Sequence, residues 1–260
     1  YSGLVWQLIV LAEMGAQADM QIKQYCEYLF DHAQEPTDGG FAMNTSAKLG
    51  GGRLSEVIPC LTGNMVWIMI HFGYLDDPRL QKAIDWLTKY MRFNDGTIVD
   101  PQIPPYDRYE PCWGKHTCLM GVVKTLKGLS AIPVDRRSAK VNDTIDKAVE
   151  FLLIHHIHKR SHDLTRTSKP GWLKLSFPLM YQTDILEVAD ILTYLNVKDD
   201  RKNDALQIIH GKQNDDRRWN MEYTSNTDRL LIPMEKKGEP SRWITLRALR
   251  VLKRAHMIDL

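Results

Sequence analysis

Apolar positions along the chain fall into two kinds of segment that alternate. Some segments are apolar nearly all round, which is typical of buried helices, and most of these are followed by a segment with one polar face. The alternation recurs about every 60 residues, so the sequence predicts repeated helical hairpins and almost no strands. The predicted buried helices are 1–15, 60–74, 115–131, 177–194 and 242–255, and the amphipathic helices are 20–33, 76–93, 141–157 and 202–213.

The turns that follow the amphipathic helices also resemble one another. They read "TDGGF" at 37–41, "NDGTI" at 94–98 and "NDDRRW" at 214–219. Glycine and aspartate end a helix, and the apolar residue after them can pack back into the core. Hairpins packed side by side form an open solenoid or a closed ring. Helices that are apolar all round favour the ring, because a solenoid leaves one face in water.

Composition narrows the classes of partner. The chain has 260 residues, of which 43% are hydrophobic, so it can bury a sizeable core, and one domain over 1–260 is expected. Its net charge of +2 gives no general reason to bind nucleic acid or an anionic membrane. No apolar run reaches the ~20 residues of a membrane span. Four unevenly spaced cysteines predict a reducing, cytoplasmic setting.

One turn carries a more specific motif. The segment "QNDDRRW" is similar to the glutamine and tryptophan repeat of the squalene cyclases, with Gln213 and Trp219 in register and Arg217 where that motif has glycine. The hairpin repeat resembles the α/α toroid of terpene cyclases and of the β subunits of protein prenyltransferases. This resemblance implies an all-α toroid over 1–260. The predicted helices are fewer than those of that barrel, so a missing N-terminal segment or a partner chain is expected to complete it.

The same resemblance implies a ligand. In such a toroid, aromatic residues on the inner helices line a central cavity that accepts a hydrophobic small molecule, an isoprenoid chain or a prenyl diphosphate. The alternative is that these aromatic residues only fill the core. The acidic motifs DxDD and DDxxD of the cyclases are absent, and "DDRKND" at 199–204 is interpreted as helix capping. The predicted cavity residues are Trp67, Trp113, Phe177, Tyr181 and Trp243.

The segment "CWGKHTC" at 112–118 resembles the part of the prenyltransferases that supplies a zinc-binding histidine, which carries over to His116. Cys60, at the start of the preceding buried helix, corresponds to their zinc-binding cysteine, and Ile58 stands where they have aspartate. Cys112 lies four residues before His116, on the same face if the helix begins by residue 112. The implied zinc ligands are Cys60, Cys112 and His116. The alternative is core packing, which is also the interpretation of Cys118.

Two further segments each allow two interpretations. In "KLGGGRL" at 48–54, Lys48 and Arg53 with backbone amides could bind a diphosphate, or the glycines could form a flexible connector. In "HHIHKRSH" at 155–162, His158 and His162 could share one helical face as metal ligands, or the basic residues could complement the end of a helix.

Three hypotheses about function follow. The first is a prenyltransferase-like or terpene cyclase-like enzyme that holds an isoprenoid in its cavity and uses zinc in a transfer reaction. The second is a toroid that binds a lipid or peptide without catalysis. The third is a structural scaffold with a packed core. The sequence favours the first by a small margin and assigns no catalytic residue, because a fold by itself does not fix a function.

Overall fold

The structure, a computed structural model, describes residues 3–96, 102–224 and 234–259, without the side chains of Ala47 and Glu110. It is about 53% helical and its strands are short, which confirms the mostly helical class. Residues 1–2 of the first predicted helix and 97–98 of the second predicted turn lie outside the described residues. The chain divides into two compact units, 3–149 and 150–260, called here the N-terminal and C-terminal units. The toroid and its extent as one domain stay predictions.

The helices follow the predicted hairpin order. The short strands form three separate antiparallel pairs, β1 with β2, β3 with β4, and β5 with β6. The helices are α1 (Leu4–Glu13), α2 (Met20–Ala33), α3 (Pro59–His71), α4 (Pro78–Tyr90), α5 (Glu110–Trp113), α6 (Leu119–Ser130), α7 (Ala139–Ile154), α8 (Ile185–Tyr194), α9 (Asn203–Gly211) and α10 (Arg242–Arg254). The strands are β1 (Thr45–Ser46), β2 (Gly51–Gly52), β3 (Lys159–Arg160), β4 (Asp163–Thr167), β5 (Trp219–Asn220) and β6 (Pro240–Ser241).

Local chemistry explains several helix starts. The carboxylate of Asp77 accepts a hydrogen bond from the N–H of Arg79 at 2.8 Å, and Pro78 occupies the first position of α4, as the sequence predicted. Asp19 caps α2 in the same way, through the N–H of Ile22 at 2.7 Å. These side chains satisfy N–H groups that have no partner inside the helix.

Consecutive predicted inner helices are neighbours within each unit. In the N-terminal unit α3 packs against α1 and α6, and in the C-terminal unit α8 packs against α10. Eleven of the twelve residues of α6 are buried, as expected of an inner helix. The expectation for α10 was wrong, because only four of its thirteen residues are buried. Four of its basic residues, Arg242, Arg250, Lys253 and Arg254, keep one face in solvent.

The predicted helix 177–194 is shorter than expected. Residues 177–184 are not helical, and α8 begins at Ile185, capped by Asp184. Met180 has φ of 55°, which no helical residue adopts. The polar residues Gln182, Thr183 and Asp184 interrupt the apolar run directly before α8, and a prediction based on the hydrophobic period alone passed over this cap.

The four turns after the amphipathic helices are held by one device. In each, a backbone N–H of the turn donates to a side-chain oxygen near the start of the next inner helix. Three of these acceptors are threonine hydroxyls and one is a carboxylate, so the repeat predicted from hydrophobicity is also a repeat of hydrogen bonds. The pairs are Phe41 N to Thr62 Oγ1 at 3.0 Å, Asn94 N to Thr117 Oγ1 at 2.9 Å, Ser176 N to Asp184 Oδ2 at 2.9 Å and Trp219 N to Thr245 Oγ1 at 3.1 Å.

The glutamine and tryptophan turn closes on the end of α9. Trp219 is fully buried, and its indole N–H donates to the carbonyl of Ile209 at 2.6 Å. The side-chain amide of Gln213 donates to the carbonyl of Arg217 at 3.2 Å. The motif therefore ties the turn to the last turn of α9 through Trp219 and closes the turn on itself through Gln213.

An earlier turn repeats this arrangement with other residues. The side-chain amide of Gln34 donates to the carbonyls of Gly39 at 2.7 Å and Arg79 at 2.8 Å, and Phe41 takes the buried position of the tryptophan. The second bond ties the end of α2 to the first turn of α4. The sequence analysis missed Gln34, because phenylalanine replaces the motif's tryptophan and the spacing differs by one residue.

Arg217 departs from the motif at a position that favours glycine. Its φ is 58°, in the left-handed region, and Gly39 in the earlier turn has φ of 88°. A side chain in that region costs about 1 kcal/mol. We expect Arg217→Gly to raise the free energy of unfolding by about 1 kcal/mol, measured by urea denaturation. Asp216→Gly, at an exposed neighbour without positive φ, is the control and is expected to destabilise. Equal effects of both variants would contradict the prediction.

Among the described residues, no helix is both long and apolar enough to cross a membrane. All four cysteines are free thiols, with Cys26 and Cys60 buried and Cys112 and Cys118 partly exposed.

Candidate functional site

The segment 112–118 does not meet the condition for a shared helical face, which was a helix that begins by residue 112. Cys112 lies in the short helix α5, and α6 begins only at Leu119, so Cys112 and His116 do not share a helical face. The backbone between them pairs with residues 94–96 instead. Gly96 N donates to the carbonyl of Lys115 at 2.9 Å, and Thr117 N donates to that of Asn94 at 2.8 Å. These pairings occupy groups that a helix would have used.

His116 lies at the surface of this loop. Its side chain is 60% exposed, and its Nδ1 lies 3.3 Å from Oδ1 of Asp95. The ring rests against Gly96, where an added Cβ would lie 2.6 Å from Cε1 of the imidazole. The absence of a side chain at Gly96 therefore allows the ring to pack flat against the turn.

Cys60 begins α3, as predicted, but it is not a thiolate. Burial raises the pKa of the Cys60 thiol to about 12, with smaller contributions from the nearby Cys112 and Cys118, and Lys124 opposes the shift. Zinc requires a deprotonated sulfur. Among the described residues no group of three or more histidine, cysteine, aspartate or glutamate side chains is arranged to hold a metal ion. The zinc site therefore stays a prediction from the resemblance.

Trp113 of the same segment borders a cavity. Its side chain is buried and meets Tyr106 edge to face at a centroid distance of 5.1 Å, and Trp86 at 5.9 Å. The Tyr106 hydroxyl donates to the carbonyl of Tyr90 at 3.0 Å, which fixes that ring. The cavity has a volume of about 380 Å³, and Trp113, Tyr106 and Tyr109 contribute to its wall. The segment "CWGKHTC" thus supplies part of an aromatic pocket.

Charged residues complete the wall. Arg108, Lys115 and Asp107 all line the cavity. Arg108 Nη1 lies 3.4 Å from Oε1 of Glu56, whose side chain is only 9% exposed. The other carboxylate oxygen of Glu56 accepts from the side-chain amide of Asn44 at 3.1 Å. The buried Glu56 carboxylate contacts both Asn44 and Arg108 and therefore holds the Arg108 guanidinium at the edge of the cavity.

The sequence analysis found Trp113 but not its neighbours in the cavity. Lys115 is the first residue of the predicted helix 115–131. Tyr106 and Arg108 lie outside the predicted helices, in a stretch rich in proline and aromatic residues that reads "PPYDRYEPCW" at 104–113. Such a stretch is a signal for an ordered functional loop. Its hydrophobic positions have no helical period, and an analysis based on that period passes over it.

Trp67 was predicted to line the ligand cavity, and in the structure one face of its ring packs against the ammonium of Lys127. Lys127 Nζ lies 3.9 Å from the ring centroid and 3.0 Å from Oε1 of Glu13. The side chains of Lys127 and Glu13 are 9% and 1% exposed. One face of Trp67 thus belongs to a buried ion pair in the N-terminal unit.

The other three predicted aromatic residues lie in the C-terminal unit. Phe177 and Trp243 stack on each other at 5.3 Å with an interplanar angle of 14°, so the structure brings this pair together. Tyr181 is partly exposed, and its hydroxyl accepts from the side-chain amide of Gln182 at 3.5 Å. A role for these three residues in ligand binding stays a prediction.

The glycine-rich segment forms a hairpin. Gly51 and Gly52 form β2, Lys48 lies in the connection between β1 and β2, and Arg53 directly follows β2. A Cβ at Gly52 would lie 2.6 Å from the carbonyl oxygen of Ala33, so the glycine allows close approach to the end of α2. This contact accounts for the glycine without a bound phosphate.

The histidine-rich segment is not helical either. The helix α7 ends at Ile154, and His158 precedes β3, so His158 and His162 do not share a helical face. His156 and Ile157 have φ of 44° and 70°, which turns the chain out of the helix. His158 is buried, which lowers the pKa of its imidazole, and its Nε2 lies 3.5 Å from Oδ2 of Asp204.

The acidic segment 199–204 caps a helix, as the sequence predicted. The carboxylate of Asp199 accepts from the N–H of Arg201 at 2.9 Å. The guanidinium of Arg201 bridges Asp199 and Glu150, each at 2.8 Å. These carboxylates are occupied by an arginine rather than arranged for magnesium.

A buried acid was not predicted. Asp184 is fully buried, and burial raises the pKa of its carboxyl to about 6, although the N–H groups of Ser176 and Glu187 donate to it. Arg247 partly offsets the shift and Glu187 adds to it. In the sequence Asp184 falls inside the predicted helix 177–194, and its burial follows only from the tertiary structure.

Comparison with known proteins assigns no family. No protein-family model matches the chain, and no curated protein matches it. Among solved structures, it is similar to a variant of the type II terpene cyclase MstE from Scytonema in complex with the product merosterolic acid A, with 13% identity over 98% of this chain and 88% of that chain and a TM-score of 0.34. A second variant of the same cyclase, in complex with geranylgeranyl dihydroxybenzoate, has 14% identity, the same coverage and a TM-score of 0.33. TM-scores this low do not establish a common fold.

Proposed function

We propose that this chain binds an isoprenoid-type hydrophobic ligand in the cavity beside Trp113. The observation that carries the proposal is the aromatic wall, in which Tyr106 and Trp86 hold Trp113 edge to face. A volume of about 380 Å³ is within the usual range of small-molecule pockets, about 300–1,000 Å³. A fixed aromatic surface loses little conformational entropy when an apolar chain packs on it.

Catalysis is the finer hypothesis. A prenyltransferase-like or cyclase-like reaction with zinc rests on the resemblance of the sequence to those enzymes. Its implied ligands are a buried neutral thiol at Cys60, the partly exposed Cys112 and the exposed His116. Among the described residues no group of three or more such side chains is arranged around a common point, so we assign no chemical step to zinc. Ligand binding requires only the cavity, and for that reason it is the function proposed.

Binding can be tested by calorimetric titration of the full chain with farnesol. Trp113→Ala removes the central wall of the cavity and is expected to weaken binding at least about tenfold. Trp113→Phe keeps an aromatic face and is expected to stay within about threefold of the parent chain. Circular dichroism checks that each variant is folded.

Trp243→Ala is the matched control, because it removes a partly exposed tryptophan from the stacked pair in the C-terminal unit. Its affinity for farnesol is expected to equal that of the parent chain. Loss of binding in Trp243→Ala with retention in Trp113→Ala would place the ligand elsewhere. Absence of binding to the parent chain would overturn the proposed function.

A further inference from the structure

The charges around the Trp113 cavity nearly cancel. Arg108 and Lys115 supply two positive charges and Asp107 one negative charge. Arg108 is also paired with the buried Glu56 at 3.4 Å. Lys115 and Asp107 then remain on the wall, and the Lys115 ammonium makes no ion pair with any side chain in the part of the chain that the structure describes, so its donors can reach a ligand.

The charges of the cavity wall limit the charge of the head group that a ligand can carry there. A diphosphate carries several negative charges at neutral pH, and phosphate sites usually combine arginine, lysine and backbone N–H groups. Two cations opposed by Asp107 and Glu56 do not neutralise such a group. A carboxylate carries one negative charge, which matches Lys115 alone.

Arg108 is also built for a planar acceptor. The contact with Glu56 uses Nη1, which leaves Nε and Nη2 without a partner among the described residues. A guanidinium presents its donors as a fork that fits both oxygens of a carboxylate. Because Glu56 is itself held by Asn44, the guanidinium does not need to be ordered when the ligand arrives.

We propose that the Trp113 cavity selects a hydrophobic ligand with a single carboxylate head group, bound by Lys115 and Arg108, over the corresponding diphosphate. This inference rests on the proposed function and specifies the class of ligand. The apolar chain packs on Trp113 and Tyr106, and the carboxylate faces the two cations. Glu56 is a positioning residue, because it acts only through Arg108.

The test compares three probes that share one isoprenoid chain, which are farnesol, farnesoic acid and farnesyl diphosphate. The parent chain is expected to bind the acid about tenfold more tightly than the alcohol, the effect of a charge-assisted hydrogen bond. It is expected to bind the diphosphate more weakly than the acid. Titrations at low and high salt should show a salt dependence for the acid and none for the alcohol.

Variants identify the residues responsible. Lys115→Ala is expected to weaken the affinity for farnesoic acid about tenfold and to leave the affinity for farnesol unchanged, because only the charged head group contacts Lys115. Glu56→Gln keeps the shape of the side chain and removes its charge, so binding of the diphosphate should improve relative to the acid. Lys23→Ala, an exposed lysine on α2 without an ion pair among the described residues, is the control and should change neither affinity.

The outcomes separate this inference from the proposed function. Tightest binding of the diphosphate, or equal binding of all three probes, would overturn the carboxylate assignment and leave hydrophobic binding intact. An equal loss of affinity for farnesol and for farnesoic acid in Lys115→Ala would also overturn the carboxylate assignment. Absence of binding of all three probes would overturn both proposals.

Discussion

Gly63→Ala is expected to lower the free energy of unfolding by about 2–4 kcal/mol. Gly63 lies on α3 where it meets α6, and an added Cβ would lie 2.6 Å from the backbone N of Thr125 and closer still to the carbonyl of Lys124. Those atoms belong to the backbone of a buried helix, so they cannot rotate away as the end of a side chain can. The two helices would have to separate, and the contacts along their interface would be lost.

The same interface uses further glycines. A Cβ at Gly128 would lie 2.7 Å from the carbonyl of Gly63, and one at Gly121 would lie 2.9 Å from Cγ of Pro59. Small residues thus follow the line along which α3 and α6 touch, so the clash at Gly63 cannot be relieved by a shift along the helix axis.

Urea denaturation, followed by the helical circular dichroism signal at about 222 nm, checks this prediction. Gly211→Ala is the matched control, because it is also a helical glycine but an added Cβ there meets no atom within 4 Å. It is expected to be neutral or to stabilise by up to about 1 kcal/mol. A loss of similar size in both variants, or none in Gly63→Ala, would contradict the close packing of α3 on α6.

The titration of Asp184 is expected to lower the free energy of unfolding by about 2 kcal/mol as the pH rises from 4 to 7. The pKa of this carboxyl is about 6 in the folded chain against an ordinary value of 3.8. Between these two values the folded chain keeps a proton that the unfolded chain has released. The contribution is therefore complete below about pH 4 and is lost as the pH rises through 6.

Asp184→Asn provides the test, because asparagine does not titrate and still caps α8. The variant has only one acceptor oxygen, so it cannot accept from both Glu187 N and Ser176 N, and it is expected to be less stable than the parent at pH 4. The gap between the two free energies of unfolding should narrow by about 2 kcal/mol by pH 7. Parallel curves would show that Asp184 titrates normally.

Asp77→Asn is the control for the direction of the pH dependence of stability. Asp77 also caps a helix, but the adjacent Arg79 lowers the pKa of its carboxyl. Its contribution is present above the ordinary pKa and is lost on acidification, so this variant should differ most from the parent at neutral pH. Opposite trends in the two variants would show that burial at Asp184, and not capping itself, sets the direction.

The local order of the fold could be predicted from the sequence. Apolar and amphipathic segments place the helices within a few residues, because a period of about 3.6 is a property of consecutive residues. The start of α4 at Asp77 and Pro78 was predicted for the same reason, since a cap and its helix are adjacent in the chain. The repeat and the glutamine and tryptophan turn are likewise visible in the one-dimensional pattern.

The candidate site was decided by the tertiary structure. Arg108 faces the cavity because Glu56, 52 residues earlier, holds it, and no periodicity connects those two positions. Cys112 and His116 are four residues apart, but pairing of their loop with residues 94–96 prevents the helix that would have brought them to one face. The pKa of Asp184 is a matter of burial, which depends on what packs over it. The sequence by itself determined which segments are helical and which faces are apolar, because those depend on neighbouring residues. Only the folded chain decided which side chains meet and which charges are buried, because contacts between distant residues set desolvation and geometry.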